Sequence, residues 1–217
     1  MEFQHNTIDL NDKPSEFVSK YREASGGYGS GLVPLLEHND NLVIESDVVA
    51  KYVAQNIDGV DGKGSDLYPA TSENDDVELM ESFMSQWQEV TDTYYDLLRA
   101  TSEQECKKGK DIFVKRLSGI DDLLQHKTGD FLVGEHFSYA ECIAAPWIQR
   151  FYVTLPYFRG IHFESDILSK FKFMSTWMEA VCNRPSCLAS ICPESEMIAA
   201  CKKYYVSYVS PGATGTF

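Results

Sequence analysis

The sequence predicts an α/β domain followed by an all-α domain, and three observations carry this prediction. Two short apolar runs, over residues 31–37 and 42–47, flank a polar turn and predict a β-hairpin. A stretch rich in glycine and aspartate, Asn56–Pro69, is typical of a linker. From Ser72 onward, the apolar residues recur with the 3.6-residue period of helices.

The elements of the first domain are predicted in the order βαββα. Residues Glu2–Leu10 are interpreted as a strand, and a helix is expected to begin at Lys13 with Pro14 in its first turn. A glycine-rich loop over 25–31 then returns the chain to the hairpin, and Tyr21 and Tyr28 near it are interpreted as surface aromatics. A last helix is predicted over 47–54, with Val48, Val49, Tyr52 and Val53 on its apolar side.

The two strands of the hairpin end in residues that suggest a binding site. Pro34 is expected at a strand start, because proline cannot donate to a sheet ladder. A cis bond there would leave the Val33 backbone free to pair with a partner other than a strand. Glu45 and Ser46 close the second strand, and Ser46 is the expected N-cap of the following helix. The free N–H groups and partial positive charge of a helix start suit a carboxylate ligand.

This V-P-x-L…E-S pattern resembles the glutathione-binding half of the thioredoxin-like domain in cytosolic glutathione transferases. The resemblance implies that Val33, before the cis Pro34, pairs with the cysteinyl backbone of glutathione. It also implies that Glu45 and Ser46 hold the γ-glutamyl end. Residues 1–58 would then form an incomplete thioredoxin-like domain, and residues 72–206 would form the all-helical C-terminal domain of the family. An ordinary hairpin followed by a capped helix is the alternative interpretation of the motif.

Two further motifs resemble the omega class of that family. Lys13, Pro14 and Phe17 match K-P-x-x-F, in which the lysine lies near the glutathione carboxylates. Trp147 and Arg150 match P-W-x-x-R, in which the arginine points toward the pocket for the acceptor substrate. The alternative for the first motif is a surface lysine. The alternative for the second is a helix with Trp147 and Ile148 in the core and Arg150 at the surface.

The second domain is predicted to contain three apolar helix stripes and a capping box. Ser138 and Glu141 form the capping box, which resembles a buried folding motif of the same family with glutamate in place of aspartate. Its role is structural. The stripes comprise Val77, Met80, Met84, Trp87, Tyr94 and Leu98; Ile112, Phe113, Leu117, Ile120, Leu123 and Leu124; and Ile167, Phe171, Met174, Trp177, Met178 and Val181. A last helix is expected over 194–205.

The catalytic residue is not identified by the resemblance. Family members begin with a strand and a helix of about thirty residues, and their catalytic Cys, Ser or Tyr lies at the end of that strand. The first predicted strand of this chain resembles the second strand of the family. The expectation is therefore either an internal start in a truncated gene model or a degenerate member of the family, and the catalytic residue is unknown.

Composition limits the partners and the compartment. The formal net charge of −14 over 217 residues argues against nucleic acids and anionic membranes. No apolar run approaches the ~20 residues that span a bilayer, and no signal peptide is visible. The six cysteines lack the spacing of a zinc site, so no metal is expected, and reduced thiols in the cytoplasm are favoured over a regulatory disulfide near Pro185.

The sequence is compatible with two functions. The first is a glutathione-dependent transferase or thiol reductase of omega-like type, with glutathione as co-substrate and a small electrophilic or disulfide acceptor. The second is a non-catalytic module with the transferase fold, used for protein association or ligand binding. The resemblance also allows a homodimer. The joint occurrence of Val33-Pro34, Glu45-Ser46 and Lys13 favours the enzyme.

Overall fold

The structure is a computed structural model that describes residues 3–57, 67–68 and 74–204. The chain divides into two compact units, Met1–Tyr68 and Pro69–Phe217. The predicted domain limits at 58, 72 and 206 lie outside the described residues, so the placement of these limits stays a prediction.

The first unit contains a two-stranded antiparallel hairpin and two helices. The chain runs through α1 (Ser15–Ala24), β1 (Leu35–His38), β2 (Asn41–Ile44) and α2 (Ser46–Asn56). The strands pair from Leu35 opposite Ile44 to His38 opposite Asn41, so a two-residue loop joins them. Asn39 in this loop has φ of 54°, a left-handed conformation that asparagine tolerates better than most residues. The predicted hairpin is therefore confirmed.

The strand predicted over Glu2–Leu10 is wrong for the residues that the structure describes. Residues 3–9 have no regular secondary structure, and Phe3 is 77% exposed. A strand is stabilised by ladder hydrogen bonds to a neighbour, and β1 and β2 are the only paired strands among the described residues. Alternating apolar residues alone do not supply that neighbour.

The second unit is helical and contains the predicted stripes. Its long helices are α3 (Asn74–Arg99), α4 (Glu103–Leu124) and α5 (Tyr139–Arg159). A π-helical turn (Phe163–Ile167) and a short 3₁₀ turn (Leu168–Lys170) lead to the remaining elements. These are α6 (Lys172–Asn183), α7 (Pro185–Ala189) and α8 (Glu194–Tyr204).

The core of the second unit is rich in aromatic side chains. Phe83 stacks on Trp87 at a centroid distance of 5.4 Å, and Trp177 makes T-shaped contacts with both rings, at centroid distances of 5.4 and 5.9 Å. Every residue of the stripe on α6 and the turn before it is buried, as predicted. The stripe predicted on α4 includes the neighbours Ile112 and Phe113. Phe113 is buried as predicted, but the prediction is wrong at Ile112, which is 39% exposed, because adjacent residues of a helix point about 100° apart.

A buried carboxylate connects the start of α5 to the loop before it and to α6. Glu141 is fully buried and accepts hydrogen bonds from the backbone N–H groups of Leu132 and Ser138, both at 2.8 Å. The Ser138 hydroxyl donates to it at 2.6 Å, and the Trp177 indole N–H donates at 2.9 Å. The Ser138 side chain caps the first turn of α5 in return, which confirms the predicted capping box.

A buried guanidinium at the last residue of α5 binds the carbonyl groups at the end of α3. Arg159 is 6% exposed and donates to the carbonyls of Leu97 at 2.9 Å, Ala100 at 3.2 Å and Leu98. These carbonyls lie at the end of α3, where no further turn of helix can pair with them. A cation is also stabilised there by the helix dipole.

We expect Glu141→Gln to lower the free energy of unfolding by about 2–5 kcal/mol, since an amide offers one acceptor oxygen and a mismatched NH₂ to the four donors. Chemical denaturation of the variant and of the wild type measures this difference. Glu179→Gln, an exposed substitution of the same type on α6, is the matched control. Equal stability of the two variants would contradict the role assigned to Glu141.

Candidate functional site

The open end of the hairpin gathers the residues that the sequence singled out. The register that pairs Leu35 with Ile44 brings residues 33–34 and 45–46 to the same end of the two strands. The Val33–Pro34 peptide bond is cis. Val33 is 50% exposed, and its backbone makes no hydrogen bond to another described residue. A peptide-like ligand therefore has access to one free N–H and one free C=O at this position.

Glu45 and Ser46 lie where β2 ends and α2 begins. Glu45 is the N-cap residue of α2, with φ of 70° and ψ of 128°, and Ser46 is the first residue of the helix. The prediction that Ser46 caps this helix is therefore wrong by one position. Positive φ is unusual for a residue with a Cβ, and such residues concentrate at ligand sites. Both side chains are exposed to solvent.

The charges at this helix start have both signs. The first N–H groups of α2 attract an anion, whereas the carboxylates of Glu45 and Asp47 attract a cation. An amino-acid end group carries an ammonium and a carboxylate on one carbon. The chemistry of this helix start therefore suits a zwitterionic group better than a simple anion.

Lys13 lies against the glycine-rich loop. Its ammonium donates to the Ser30 carbonyl at 3.2 Å, and Arg22 donates to the Gly29 carbonyl at the same distance. One cation just before α1 and one in its last turn thus bind the carbonyls of the loop that leads into Val33. The helix itself begins at Ser15 with Pro14 at the N-cap, two positions after the start expected at Lys13.

Tyr21 is the residue of this region that the sequence interpretation missed. Tyr28 is 78% exposed, as predicted, but Tyr21 is buried at 5% exposure. Its hydroxyl lies 3.4 Å from Oε1 of Glu45, and burial together with that carboxylate raises the pKa of Tyr21. The spacing of Phe17 and Tyr21 on one face of α1 is the signal that would have found it.

The second unit holds the other pair of candidate residues. Trp147 and Arg150 are both half-buried, and the guanidinium lies over the indole with its carbon 4.8 Å from the ring centroid. The rings of Tyr94 and Tyr95 lie nearly perpendicular to the Trp147 ring, at centroid distances of 5.8 and 5.4 Å. Of the two residues that the alternative interpretation places in the core, Ile148 is fully buried, whereas Trp147 is only half-buried.

Arg150 carries a positive charge that no carboxylate among the described residues neutralises through an ion pair. Its described hydrogen bond runs from Nη1 to the Pro146 carbonyl at 3.4 Å, within its own helix. In a chain with a formal net charge of −14, a half-buried guanidinium without an acidic partner is unusual. The arrangement can receive an anion.

All six cysteines are free and belong to the second unit. Burial raises the pKa of the Cys142 thiol to about 11, and it also raises the pKa of Cys106, Cys182, Cys187 and Cys201. The thiolate is the reactive form, so these five thiols are poor nucleophiles at neutral pH.

The described residues contain no group of three or more His, Cys, Asp or Glu side chains placed to hold a metal ion. Within the described part of the chain, no helix combines the length and the apolar character that a membrane crossing requires.

Comparison with known proteins identifies the fold. Residues 91–180 match the family model described as the C-terminal domain of glutathione S-transferase. Among curated proteins, none matches the chain. An omega 3C glutathione transferase from Trametes versicolor is similar in structure, with a TM-score of 0.68 at 20% identity over 91% of this chain and 78% of that chain.

Two further structures have the same fold. Rice GST1, solved in complex with glutathione, gives a TM-score of 0.66 at 17% identity over 94% of this chain and 87% of that chain. The trimeric glutathione transferase TDR1 from Leishmania gives 0.66 at 20% identity over 95% of this chain but only 42% of that longer chain. The chain thus has the predicted fold class, with thioredoxin-like elements followed by the helical C-terminal domain of glutathione transferases.

We expect Gly29→Ala to loosen the first unit more than Gly26→Ala does. Both glycines have positive φ, at 91° and 72°, so both substitutions carry the strain of a left-handed residue. A Cβ at Gly29 would lie 2.7 Å from Cε1 of Tyr21, whereas nothing lies within 4 Å of a Cβ at Gly26. Hydrogen exchange of the α1 and hairpin amides measures the difference. Equal protection of these amides from exchange in the two variants would show that packing of the loop against Tyr21 does not stabilise the first unit.

Proposed function

We propose that this protein binds glutathione at the open end of the hairpin and is a glutathione-dependent transferase or thiol reductase of omega-like type. The observation that carries the proposal is the register of β1 and β2, which brings Val33-Pro34 and Glu45-Ser46 together. The glutathione-transferase fold and the glutathione complex of the similar rice protein support it.

Each part of glutathione has a chemical counterpart at this site. The exposed Val33 backbone suits the cysteinyl amide, because two extended backbones pair through reciprocal N–H···O bonds. The first N–H groups of α2 and the Ser46 hydroxyl suit the α-carboxylate of the γ-glutamyl end. The Glu45 carboxylate suits the ammonium on the same carbon. Lys13 is assigned to the rim, where its contact with Ser30 places it on the loop before Val33.

The acceptor substrate is assigned to Trp147 and Arg150. A half-buried guanidinium without an acidic partner, lying on an aromatic face, favours a planar electrophile or a disulfide that carries a carboxylate. The omega-like assignment rests on this pair and on the K-P-x-x-F match at Lys13. Cytoplasmic location and a homodimer belong to the same proposal.

The second candidate is a non-catalytic module that binds ligands or partner proteins. The observation that favours it is the position of the thiols, since none lies in the first unit and burial raises the pKa of five of the six. A thiol reductase of this fold would need a reactive thiolate beside glutathione.

Glu45→Ala and Ser46→Ala are each expected to weaken glutathione binding by about 1–3 kcal/mol, or roughly 5- to 150-fold in Kd, because each removes a polar partner of the ligand. Isothermal titration calorimetry on the full chain measures the affinities. Glu37→Ala and Ser19→Ala, on the same hairpin and on α1, are the matched controls and should bind like the wild type. Unchanged affinity in both site variants would remove support for the assignment.

Arg150→Met is expected to lower kcat/KM for an anionic acceptor about tenfold relative to a neutral acceptor of the same shape, since the cation that attracts the carboxylate is lost. Thiol-transfer and aryl-conjugation assays with paired acceptors measure this ratio. Arg116→Met changes the net charge equally at an exposed ion pair with Glu89 and serves as the control.

The same assays separate the two candidates. Turnover of either acceptor type by the wild type supports the enzyme. Intact glutathione binding without turnover of any acceptor supports the non-catalytic module. In that case Arg150→Met should still weaken the binding of an anionic ligand, which equilibrium titration detects without catalysis.

A further inference from the structure

Tyr21 connects three parts of the first unit, namely α1, the glycine-rich loop and the start of α2. We propose that Tyr21 is a positioning residue that orients the Glu45 carboxylate toward the ammonium of a bound γ-glutamyl group. The inference rests on the proposed glutathione site and adds a residue that neither the sequence motifs nor the comparisons assign to it. Tyr21 does not touch the ligand in this role.

The ring of Tyr21 is fixed by its surroundings. It is 5% exposed, and Gly29 lies so close above it that a Cβ there would approach Cε1 to 2.7 Å. Phe17, one turn earlier on α1, meets Gly31 in the same way, at 2.9 Å from an added Cβ. The close packing of these two rings under the loop leaves the Tyr21 hydroxyl a single direction, toward the start of α2.

The exposed Glu45 side chain is ordered only if another residue of the chain binds it. Its carboxylate is exposed, and the Tyr21 hydroxyl is its one hydrogen-bond donor among the described residues. An exposed glutamate side chain otherwise samples many rotamers, and binding would have to order them. A fixed phenol that donates to one oxygen, Oε1, leaves the other oxygen oriented for a cation. The preordered carboxylate then binds its ligand with a smaller entropic cost.

The separation of 3.4 Å between the two oxygens is long for an O–H···O bond. Hydrogen bonds at ligand sites are commonly loose without ligand and shorten when the ligand arrives. The hydroxyl keeps its proton at neutral pH, because burial and the neighbouring carboxylate both raise the pKa of Tyr21. It therefore acts as a donor to Glu45 and does not activate the glutathione thiol.

Tyr21→Phe tests the role, because it keeps the ring that packs under Gly29 and removes only the hydroxyl. Titration calorimetry should show glutathione affinity about 3- to 10-fold weaker than in the wild type, the loss that corresponds to one hydrogen bond of ordinary strength. Chemical denaturation should show little change in stability. Tyr28→Phe, at the exposed tyrosine of the same loop, is the control and should bind like the wild type.

A second ligand distinguishes positioning from general loosening of the fold. Glutaryl-cysteinyl-glycine is glutathione without its amino group, so it has no ammonium for Glu45 to bind. Tyr21→Phe and the wild type should bind this analogue equally. In a Glu45→Ala background, Tyr21→Phe should cause no further loss of glutathione affinity, since the group that it orients is absent.

Three results would overturn the inference. If Glu45→Ala weakens glutathione binding and Tyr21→Phe does not, the glutathione site stands and the role of Tyr21 falls. If Tyr21→Phe weakens glutathione and the analogue equally, its effect is structural and the positioning role is wrong. If the wild type binds no glutathione, the proposed function and this role fall together.

Discussion

The helical unit depends on one buried carboxylate. Glu141 has no exposed surface, yet it belongs to a residue type that is almost never fully buried without partners. It is tolerated because four donors converge on its two oxygens, and because the first turn of α5 adds a favourable dipole. Since those donors come from the preceding loop, from the start of α5 and from α6, the carboxylate fixes how these three segments meet.

The second buried charge of this unit, the Arg159 guanidinium, also stabilises a helix terminus. Arg159 closes the carbonyl end of α3, so the two charges act on opposite helix termini, where backbone groups lack partners. Trp177 uses its indole N–H on Glu141, whereas the Trp87 N–H has no partner among the described residues and is held by packing alone. Polar groups thus set the geometry of this core, and the aromatic rings fill it.

The first unit follows a different principle, because it is small and its regular structure is limited. Its order comes from a loop that fits closely on two rings of α1 and from two cations that hold the loop carbonyls. The groups of the proposed glutathione site lie exposed at the end of the hairpin, namely the Val33 backbone and the Glu45 and Ser46 side chains. Rigid support beneath exposed polar groups is the arrangement that binding requires.

Much of the candidate site could be predicted from the sequence, because its signals are local. Pro34 restricts the strand start, and the polar turn between apolar runs specifies the hairpin that brings Val33 near Ser46. The capping box needs only Ser138 and Glu141 three residues apart. The buried stripe on α6 follows from the helical period. In each case the interacting groups are separated by a few residues or by one turn of the chain.

Tertiary structure decided the features that depend on a distant partner. Residues 3–9 form no strand, because no neighbouring strand pairs with them among the described residues. Tyr21 is buried because Gly29 closes over it, and Ile112 is exposed because Phe113 takes the core position. The local sequence therefore determined the elements and the exposed motif at the hairpin end. Packing between elements, which no short segment encodes, decided which side chains support that motif from beneath.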